Sequence, residues 1–183
     1  MKNYTFTLIA TSEKKLDADE VCNIADCLYD AGAEDCTVSA SGSALVIDVD
    51  RESLSYRDAV LSAIKQVRSI SGLTVKSLDA GQYVGLSDAA EFCHLSRSAL
   101  SKFSKGERGG GNFPSPCLRV NSKTPLYDWS EIASWLYEKG LLSREHVDNA
   151  QFTASINTAL QFANNKLKET AALSYELNNA IAP

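Results

Sequence analysis

The sequence lacks a long apolar run. Nothing in its 183 residues approaches the ~20 consecutive apolar side chains that cross a bilayer, so no transmembrane helix is expected. The N-terminal residues alternate polar and apolar side chains and have no apolar core like that of a secretory signal. From these two absences we expect a protein that works in the cytoplasm.

Spacings typical of metal and disulfide sites are missing as well. No two cysteines form a C-x-x-C pair, and the only histidines are His94 and His146. Because the cysteine count is odd and no signal peptide is evident, reduced thiols are expected, each as a small buried side chain. No Ser-His-Asp or Cys-His constellation is visible, so we expect no metal, no cofactor and no enzymatic activity. The cysteines are Cys22, Cys27, Cys36, Cys93 and Cys117.

The chain is acidic overall, but its charge is unevenly distributed. A net charge of −5, taken alone, disfavours nucleic acid as a partner. Residues 1–78 carry 8 basic and 12 acidic side chains, whereas residues 96–123 carry 6 basic side chains against only Glu107. We name residues 96–123 the basic segment, and its local charge of +5 is typical of a surface that contacts phosphates. Its basic residues are Arg97, Lys102, Lys105, Arg108, Arg119 and Lys123.

Residues 1–79 have the pattern of a small α+β domain with the element order β-α-β-β-α-β, which is the ferredoxin-like arrangement. The loop after the first strand has neither the arginine nor the glycine of an acylphosphatase-like or ACT-like site. We therefore expect a scaffold or protein-contact role for this domain. Period-two and helical spacings predict strands at 4–9, 36–41, 44–49 and 73–78, and helices at 17–31 and 55–70.

A helix-turn-helix pattern lies at residues 87–104. Ser87 is expected to cap a first helix, His94 and Leu95 to make a tight turn, and Ser96 to cap a second helix. Apolar spacing predicts that the second helix buries Ala99, Leu100 and Phe103. Its opposite side is the one that a recognition helix presents to the major groove, where arginine pairs with guanine. The residues on that side are Arg97, Ser98, Ser101 and Lys102.

The glycine-rich residues 105–116 come next. Their spacing differs from that of a phosphate-binding P-loop, so the glycines are interpreted as turns or as close approaches to a DNA phosphate. Residues 117–120 and 125–129 predict a two-stranded wing, with Arg119 and Lys123 available to phosphates. Beyond the wing, a third helix is expected after the capping residue Asp128, with its core formed by Trp129, Ile132, Trp135 and Leu136.

Four runs in this region, LSDAAEF, LSRSAL, GNFPSP and PLYDWSEIASWL, resemble the AlpA/excisionase branch of the MerR-like winged helix proteins. The resemblance covers about 50 residues and implies binding of double-stranded DNA by the second helix and the wing. This chain departs from the pattern at His94, where the turn usually has glycine, and at 106–111, which is longer than usual. By position, the resemblance points to Arg97, Ser98, Ser101, Lys102, Lys105, Arg108, Asn112 and Lys123.

The spacing in residues 143–183 predicts a long helix that starts after Ser143 and runs to about residue 181, with a kink or a division into two helices near Phe152 as the alternative. At ~1.5 Å per residue its length would be on the order of 50 Å. Its resemblance to MerR-like C-terminal helices implies a homodimer; the alternative is that it folds back on the N-terminal sheet. The predicted apolar seam is Ile156, Leu160, Ala163, Leu167, Thr170, Ser174, Leu177 and Ile181, with Val147, Ala150 and Ala154 on a shifted phase.

The sequence therefore predicts three parts: a ferredoxin-like domain at 1–79, a winged helix-turn-helix domain at 80–142, and a dimerising helix at 143–183. The leading functional hypothesis is a homodimeric bacterial transcriptional regulator that binds double-stranded DNA. A second hypothesis is an interaction module, such as an antitoxin or assembly adaptor, whose acidic N-terminal domain holds a partner protein. An enzyme is the third and least supported hypothesis.

Overall fold

The computed structural model describes residues 1–164 and 172–177 of the chain. It confirms the mixed α+β class, with helices, a four-stranded antiparallel sheet and a two-stranded sheet. The chain divides into two units, the first formed by Met1–Asp79 with Ser155–Pro183 and the second by Ala80–Ala154. Among the described residues, none of the helices combines the length and apolar character required to span a membrane.

The first unit contains the four-stranded sheet and the two helices that connect its strands. Its elements are β1 (Lys2–Ser12), α1 (Ala18–Asp30), β2 (Cys36–Ser41), β3 (Ala44–Ser53), α2 (Tyr56–Ser69) and β4 (Leu73–Asp79). The strand order is β2-β3-β1-β4, and every neighbouring pair is antiparallel. The predicted element order is thus observed, and β3, which has the most apolar run, lies inside the sheet.

The helices of this unit begin at capping side chains. The carboxylate of Asp17 accepts a hydrogen bond from the backbone N–H of Glu20 at 3.1 Å, and Ser55 Oγ accepts one from the N–H of Asp58 at 3.0 Å. Because successive strand residues point to opposite faces, each strand offers alternate apolar residues to the helices. The buried side chains include Phe6, Leu8, Ile24, Leu28, Leu45, Ile47, Val49, Ala59, Val60, Ala63, Ile64 and Val67.

One charged residue, Arg51, is buried in this unit. Its Nε and Nη2 donate hydrogen bonds to the two carboxylate oxygens of Asp35 at 2.7 Å each, and Nη1 donates to Ser62 Oγ at 2.8 Å. The hydrogen bonds from Arg51 lower the pKa of Asp35. Burial raises the pKa of the neighbouring Cys36 thiol to about 11, so this thiol stays protonated near neutral pH. The bidentate pair ties the loop after α1 to β3 and α2.

The cysteines are not the buried set that the sequence predicted. Only Cys93 is buried and Cys36 is half-buried, whereas Cys22, Cys27 and Cys117 are exposed. The prediction was wrong for the two cysteines of α1 because they lie away from its apolar stripe. All five cysteines are free thiols.

The second unit contains short helices around an aromatic core. Its elements are β5 (Tyr83–Val84), α3 (Leu86–Phe92), α4 (Arg97–Ser104), β6 (Tyr127–Asp128), α5 (Trp129–Glu138) and the first half of α6 (Arg144–Asn164). Gly85 stands at the N-cap of α3, and Ser87 lies inside the helix, so the predicted Ser87 cap is wrong. Asp88 takes over the capping, because its carboxylate accepts a hydrogen bond from the N–H of Gly85 at 3.0 Å.

In the first unit, the second half of α6 covers the edge strand β4. The side-chain amide of Asn157 accepts a hydrogen bond from the N–H of Leu78 at 2.7 Å and donates one to its carbonyl at 3.0 Å. Asn164 donates a further hydrogen bond to the carbonyl of Val75 at 2.6 Å. Because an edge strand exposes unpaired backbone groups, these amides occupy the place of another strand. Residues 155–164 therefore fold back on the sheet, the arrangement kept above as the alternative.

The predicted seam of the C-terminal helix is only partly buried. Leu160 is buried and Ile156 is half-buried, but Ala163, Ser174 and Leu177 are exposed. On the shifted phase, Val147 and Ala150 belong to the core of the second unit. The helix α6 is described to Asn164, and residues 172–177 are also helical. The predicted seam positions Leu167, Thr170 and Ile181 lie outside the described residues.

Replacing Asn157 should test how β4 is held. Asn157→Ala leaves the N–H and the carbonyl of Leu78 without their partner in a buried place, so we expect a loss of about 1–3 kcal/mol in the free energy of unfolding. The exposed Gln161→Ala on the same helix is the matched control and should change the free energy by less than about 0.5 kcal/mol. Urea denaturation measures both. Equal effects would show that Asn157 does not hold the strand.

Candidate nucleic-acid interface

The turn between α3 and α4 is fixed by backbone hydrogen bonds. After the C-cap Cys93, the N–H of His94 donates to the carbonyl of Glu91 at 3.2 Å, and the N–H of Leu95 donates to that of Ala90 at 2.9 Å. His94 has a φ of +54°, the left-handed conformation that usually favours glycine. These two bonds form a Schellman motif, so histidine performs here the structural role of the usual glycine. The expectation that His94 and Leu95 make a tight turn is confirmed.

The helix α4 separates a buried side from an exposed side. Ser96 Oγ accepts a hydrogen bond from the N–H of Ala99 at 3.2 Å, which confirms the predicted cap. Leu100 and Phe103 are buried. On the other side Arg97, Ser98 and Lys102 are exposed, whereas Ser101 is half-buried. The helix thus offers three side chains of the predicted four fully to solvent.

The glycine-rich loop after α4 is an ordered element. Gly109, Gly110, Gly111 and Asn112 follow one another with φ values of +83°, +77°, +82° and +57°. A Cβ on Gly109 would lie 2.6 Å from Cη2 of Trp135 and 3.0 Å from Cδ1 of Phe103, so only glycine fits there. The sequence left open whether these glycines turn the chain or approach a phosphate. In the structure Gly109 lets the backbone pack against an indole ring.

The indole of Trp135 holds this loop against α4 and α5. Its Nε1 donates a hydrogen bond to the carbonyl of Gly111 at 3.2 Å. Its ring centroid lies 5.1 Å from that of Phe103 and 5.2 Å from that of Phe113. Both tryptophans are buried, as the sequence predicted: Trp129 is 6% exposed and Trp135 is 5% exposed.

The basic side chains of the second unit are concentrated on α4 and the loops that follow it, and only Lys139 and Arg144 lie elsewhere. The basic residues 97, 102, 105 and 108 lie on α4 and the loop that follows it, where Lys105 and Arg108 are exposed. The guanidinium of Arg108 lies over the ring of Phe103 at 5.6 Å from its centroid, which orients it. The acidic residues lie mainly on the other helices of the unit: Asp88, Glu91, Glu131, Glu138, Glu145 and Asp148. The segment formed by α4 and the loop after it is therefore locally cationic, with four basic side chains against the single Glu107.

The predicted wing is much reduced. The two arms meet in an isolated bridge, where the N–H of Leu118 and the N–H of Leu126 each donate to the other residue's carbonyl at 3.2 and 2.9 Å, and the N–H of Cys117 also donates to the carbonyl of Leu126 at 2.9 Å. The first arm ends because Arg119 takes a φ of +52° and its carbonyl accepts a hydrogen bond from Ser122 N–H at 2.8 Å. The second arm, β6, pairs with β5 instead, which corrects the prediction. Lys123 and Arg119 are both exposed in this turn.

Asn112 is placed apart from the other candidate residues. It lines an open cavity of about 440 Å³ together with residues of α5 and α6, among them the carboxylates Glu131 and Glu138. An acidic lining does not favour a phosphate. Six of the eight candidate residues are exposed cationic or hydroxyl groups of the basic segment, Ser101 is half-buried, and Asn112 lies beside an acidic groove. Arg119 is also exposed; the sequence indicated that it is available to phosphates, but the set of residues implied by the resemblance did not include it.

Two titratable groups of the second unit, Cys93 and Tyr127, are buried in its core. Burial raises the pKa of the Cys93 thiol and that of the Tyr127 phenol, so both stay neutral near neutral pH. Within residues 1–164 and 172–177, no group of three or more His, Cys, Asp or Glu side chains is arranged to hold a metal ion. The chemistry that this surface offers is donation of hydrogen bonds and positive charge.

Comparison of the chain with protein-family models, with curated proteins and with solved structures found no match.

A glycine pair in the loop allows a matched test of its packing on Trp135. Gly109→Ala adds a Cβ within 3.0 Å of two aromatic rings, whereas Gly110→Ala meets nothing nearer than Lys139 Nζ at 3.8 Å. Both substitutions force alanine into a left-handed conformation, which costs about 1–2 kcal/mol. We expect Gly109→Ala to lower the free energy of unfolding by a further ~1–3 kcal/mol, because only it overpacks the core. Thermal unfolding followed by circular dichroism measures the difference, and equal losses would refute the packing role.

Proposed function

We propose that the second unit is a winged helix-turn-helix domain that binds double-stranded DNA, with α4 in the major groove. The observation that carries this proposal is that α4 exposes Arg97, Ser98 and Lys102 on the side opposite its buried Leu100 and Phe103. The capped and turn-locked connection to α3 supports it, because a recognition helix needs a rigid support. The segregation of positive charge onto α4 and its loop supports it as well.

The exposed residues have different roles in this proposal. Arg97 and Ser98 lie in the first turn of α4, the part of a recognition helix that contacts base edges, and an arginine there donates two hydrogen bonds to guanine. Lys102, Lys105 and Lys123 neutralise phosphates, which gives affinity without sequence preference. Base contacts therefore determine the target sequence, and the lysines determine how strongly the complex depends on salt. A cytoplasmic regulator of bacterial transcription is the role that fits this division of labour.

For the first unit we propose a ferredoxin-like domain. Its element order, the strand order β2-β3-β1-β4 and the fully antiparallel pairing support this assignment. The same fold serves many unrelated functions, so the assignment by itself carries no activity.

DNA-binding measurements on single substitutions should distinguish residues that contact bases from residues that contact phosphates. Arg97→Ala should weaken binding to the selected DNA site by about 10- to 100-fold, which corresponds to the ~1–3 kcal/mol of a bidentate base contact. Lys102→Ala should weaken binding to all sequences alike and lower the slope of log K against log salt by about 1. The matched control is Arg144→Ala, whose guanidinium pairs with Asp148 outside the basic segment. Fluorescence anisotropy over a salt series, on DNA selected from a random pool, measures all three.

Two outcomes would contradict the DNA proposal. The first is an affinity that does not fall as salt rises, because contact with phosphates must release counterions. The second is that Arg97→Ala and Lys102→Ala bind like the unchanged protein while remaining folded by circular dichroism. An equal loss in Arg144→Ala would show a diffuse charge effect and would remove α4 from the interface.

We also propose that the protein binds DNA as a homodimer, through the helical residues 172–177. In α6, Val147, Ala150 and Leu160 are already buried within the chain, so they are not available to a partner. Leu173 and Leu177, at helical spacing, remain 53% and 62% exposed. Two apolar residues four apart on an exposed helix face are typical of a helix that pairs with another.

Charge at these two leucines should separate the subunits. In Leu173→Lys/Leu177→Lys we expect the mass measured by sedimentation equilibrium to fall from that of two chains to that of one. Leu54→Lys, at a leucine of the first unit that is 84% exposed, is the control and should leave the mass unchanged. A protein that is monomeric before substitution would refute the dimer without affecting the DNA proposal, which a single domain can satisfy.

A further inference from the structure

The two edge strands of the four-stranded sheet, β4 and β2, differ in whether other residues bond their outward backbone groups. At β4 the side chains of Asn157 and Asn164 bond the outward backbone groups. At β2, the other edge, no described residue bonds the outward groups. Edge strands normally carry a charge, a proline or a bulge that prevents further pairing. The six residues of β2, CTVSAS, have none of these, and their register with β3 is unbroken.

The ladder identifies which backbone groups of β2 point outward. The N–H of Asp50 donates to the carbonyl of Asp35 at 3.0 Å, so residue 35 bonds towards β3. Bonding alternates along an antiparallel pair, so residues 37, 39 and 41 also bond towards β3. The N–H and carbonyl groups of Cys36, Val38 and Ala40 therefore point away from the sheet. They form three consecutive attachment points for an extended strand.

The surroundings of β2 on the outer face of the sheet are polar and acidic. Thr37 lies opposite Asp48 in the ladder, so the small side chains of β2 share a face with Asp48, Asp50 and Glu52 of β3. Thr7 donates a hydrogen bond to Asp48, and Asn3 and Thr5 donate to Asp50, but within the described residues neither carboxylate has a cationic partner. A strand added to β2 would lie about 10 Å from β3, and only short hydroxyl side chains would separate them.

The helix that packs on β2 is acidic too. α1 carries Asp19, Asp26 and Asp30 exposed on one stripe and has no lysine or arginine. Residues 1–79 together hold 8 basic and 13 acidic side chains. A second copy of β2 would bring two such acidic units together, whereas a basic strand would be attracted to both faces.

We propose that the edge of β2 binds an extended, lysine- or arginine-rich segment of a partner protein as an additional strand. The backbone of Cys36, Val38 and Ala40 supplies the hydrogen bonds, and the carboxylates of β3 select the charge. This site lies in the first unit and does not depend on the proposed DNA binding.

The probe is a nine-residue peptide of alternating lysine and threonine, labelled for fluorescence anisotropy, with the glutamate–threonine peptide as the charge control. The lysine peptide should bind the full chain, and the glutamate peptide should bind at least tenfold more weakly. In hydrogen-exchange NMR, binding should slow exchange of the Cys36, Val38 and Ala40 amides. Asp48→Asn/Asp50→Asn keeps the hydrogen-bond acceptors but should weaken binding at least threefold.

A backbone variant separates strand pairing from charge attraction. Val38→Pro removes an outward N–H, a position at which an edge strand tolerates proline, and should weaken binding at least tenfold. Val38→Ala keeps that N–H and should bind within threefold of the unchanged chain. If Val38→Pro fails to fold, hydrogen exchange on the unchanged protein tests whether the peptide pairs with β2. The proposal is overturned by binding without protection of these three amides, by absence of binding at millimolar peptide, or by a dimer paired through β2.

Discussion

The second unit depends on the burial of one indole, that of Trp135. The ring contacts Phe103 of α4 and Phe113 of the segment after the glycine loop, and its N–H holds the carbonyl of Gly111. A single side chain thus determines the path of the loop that carries Lys105 and Arg108. Residue 109 must be glycine, because the methyl group of an alanine there would overlap with the indole ring. The exposed cations of α4 and the glycine loop therefore stand on a packed aromatic support, as the proposed binding of a duplex would require.

The distribution of charge explains how an acidic protein can present a cationic surface. Acidic side chains are spread over α1, β3, α3 and α5, whereas the basic segment is confined to α4 and the loops that follow it. The net charge of the chain averages over these surfaces and so says little about any one of them. Screening by salt limits the range over which each charge acts to about 10 Å. The same reasoning makes the acidic surroundings of β2 a separate surface with its own preference. The proposed DNA site and the proposed strand site thus differ in both charge and backbone geometry.

Much of the architecture could be predicted from local patterns. Both helices of the first unit, the turn at His94 and the cap at Ser96 depend on residues within a few positions of each other. Predictions failed where a distant partner decided the outcome. β6 was expected to complete a wing, but it pairs with Tyr83–Val84, more than forty residues earlier. No local pattern indicated that Asn112 would line a groove with the carboxylates of Glu131 and Glu138.

The sequence by itself determined the α+β class, the order of the elements, the apolar stripes and the location of the positive charge, because all of these follow from residue types at short spacing. Only the tertiary structure decided that Asn157 covers the edge of β4, that no described residue pairs with the edge of β2, and that Gly109 accommodates Trp135. These outcomes depend on backbone groups and atoms that are far apart in the chain, and no local spacing encodes which of them meet. The helix after residue 143 illustrates both cases. The helical period of this segment could be predicted from the sequence. Which side of the helix is buried could not, because that depends on the surfaces against which the helix packs in the folded chain.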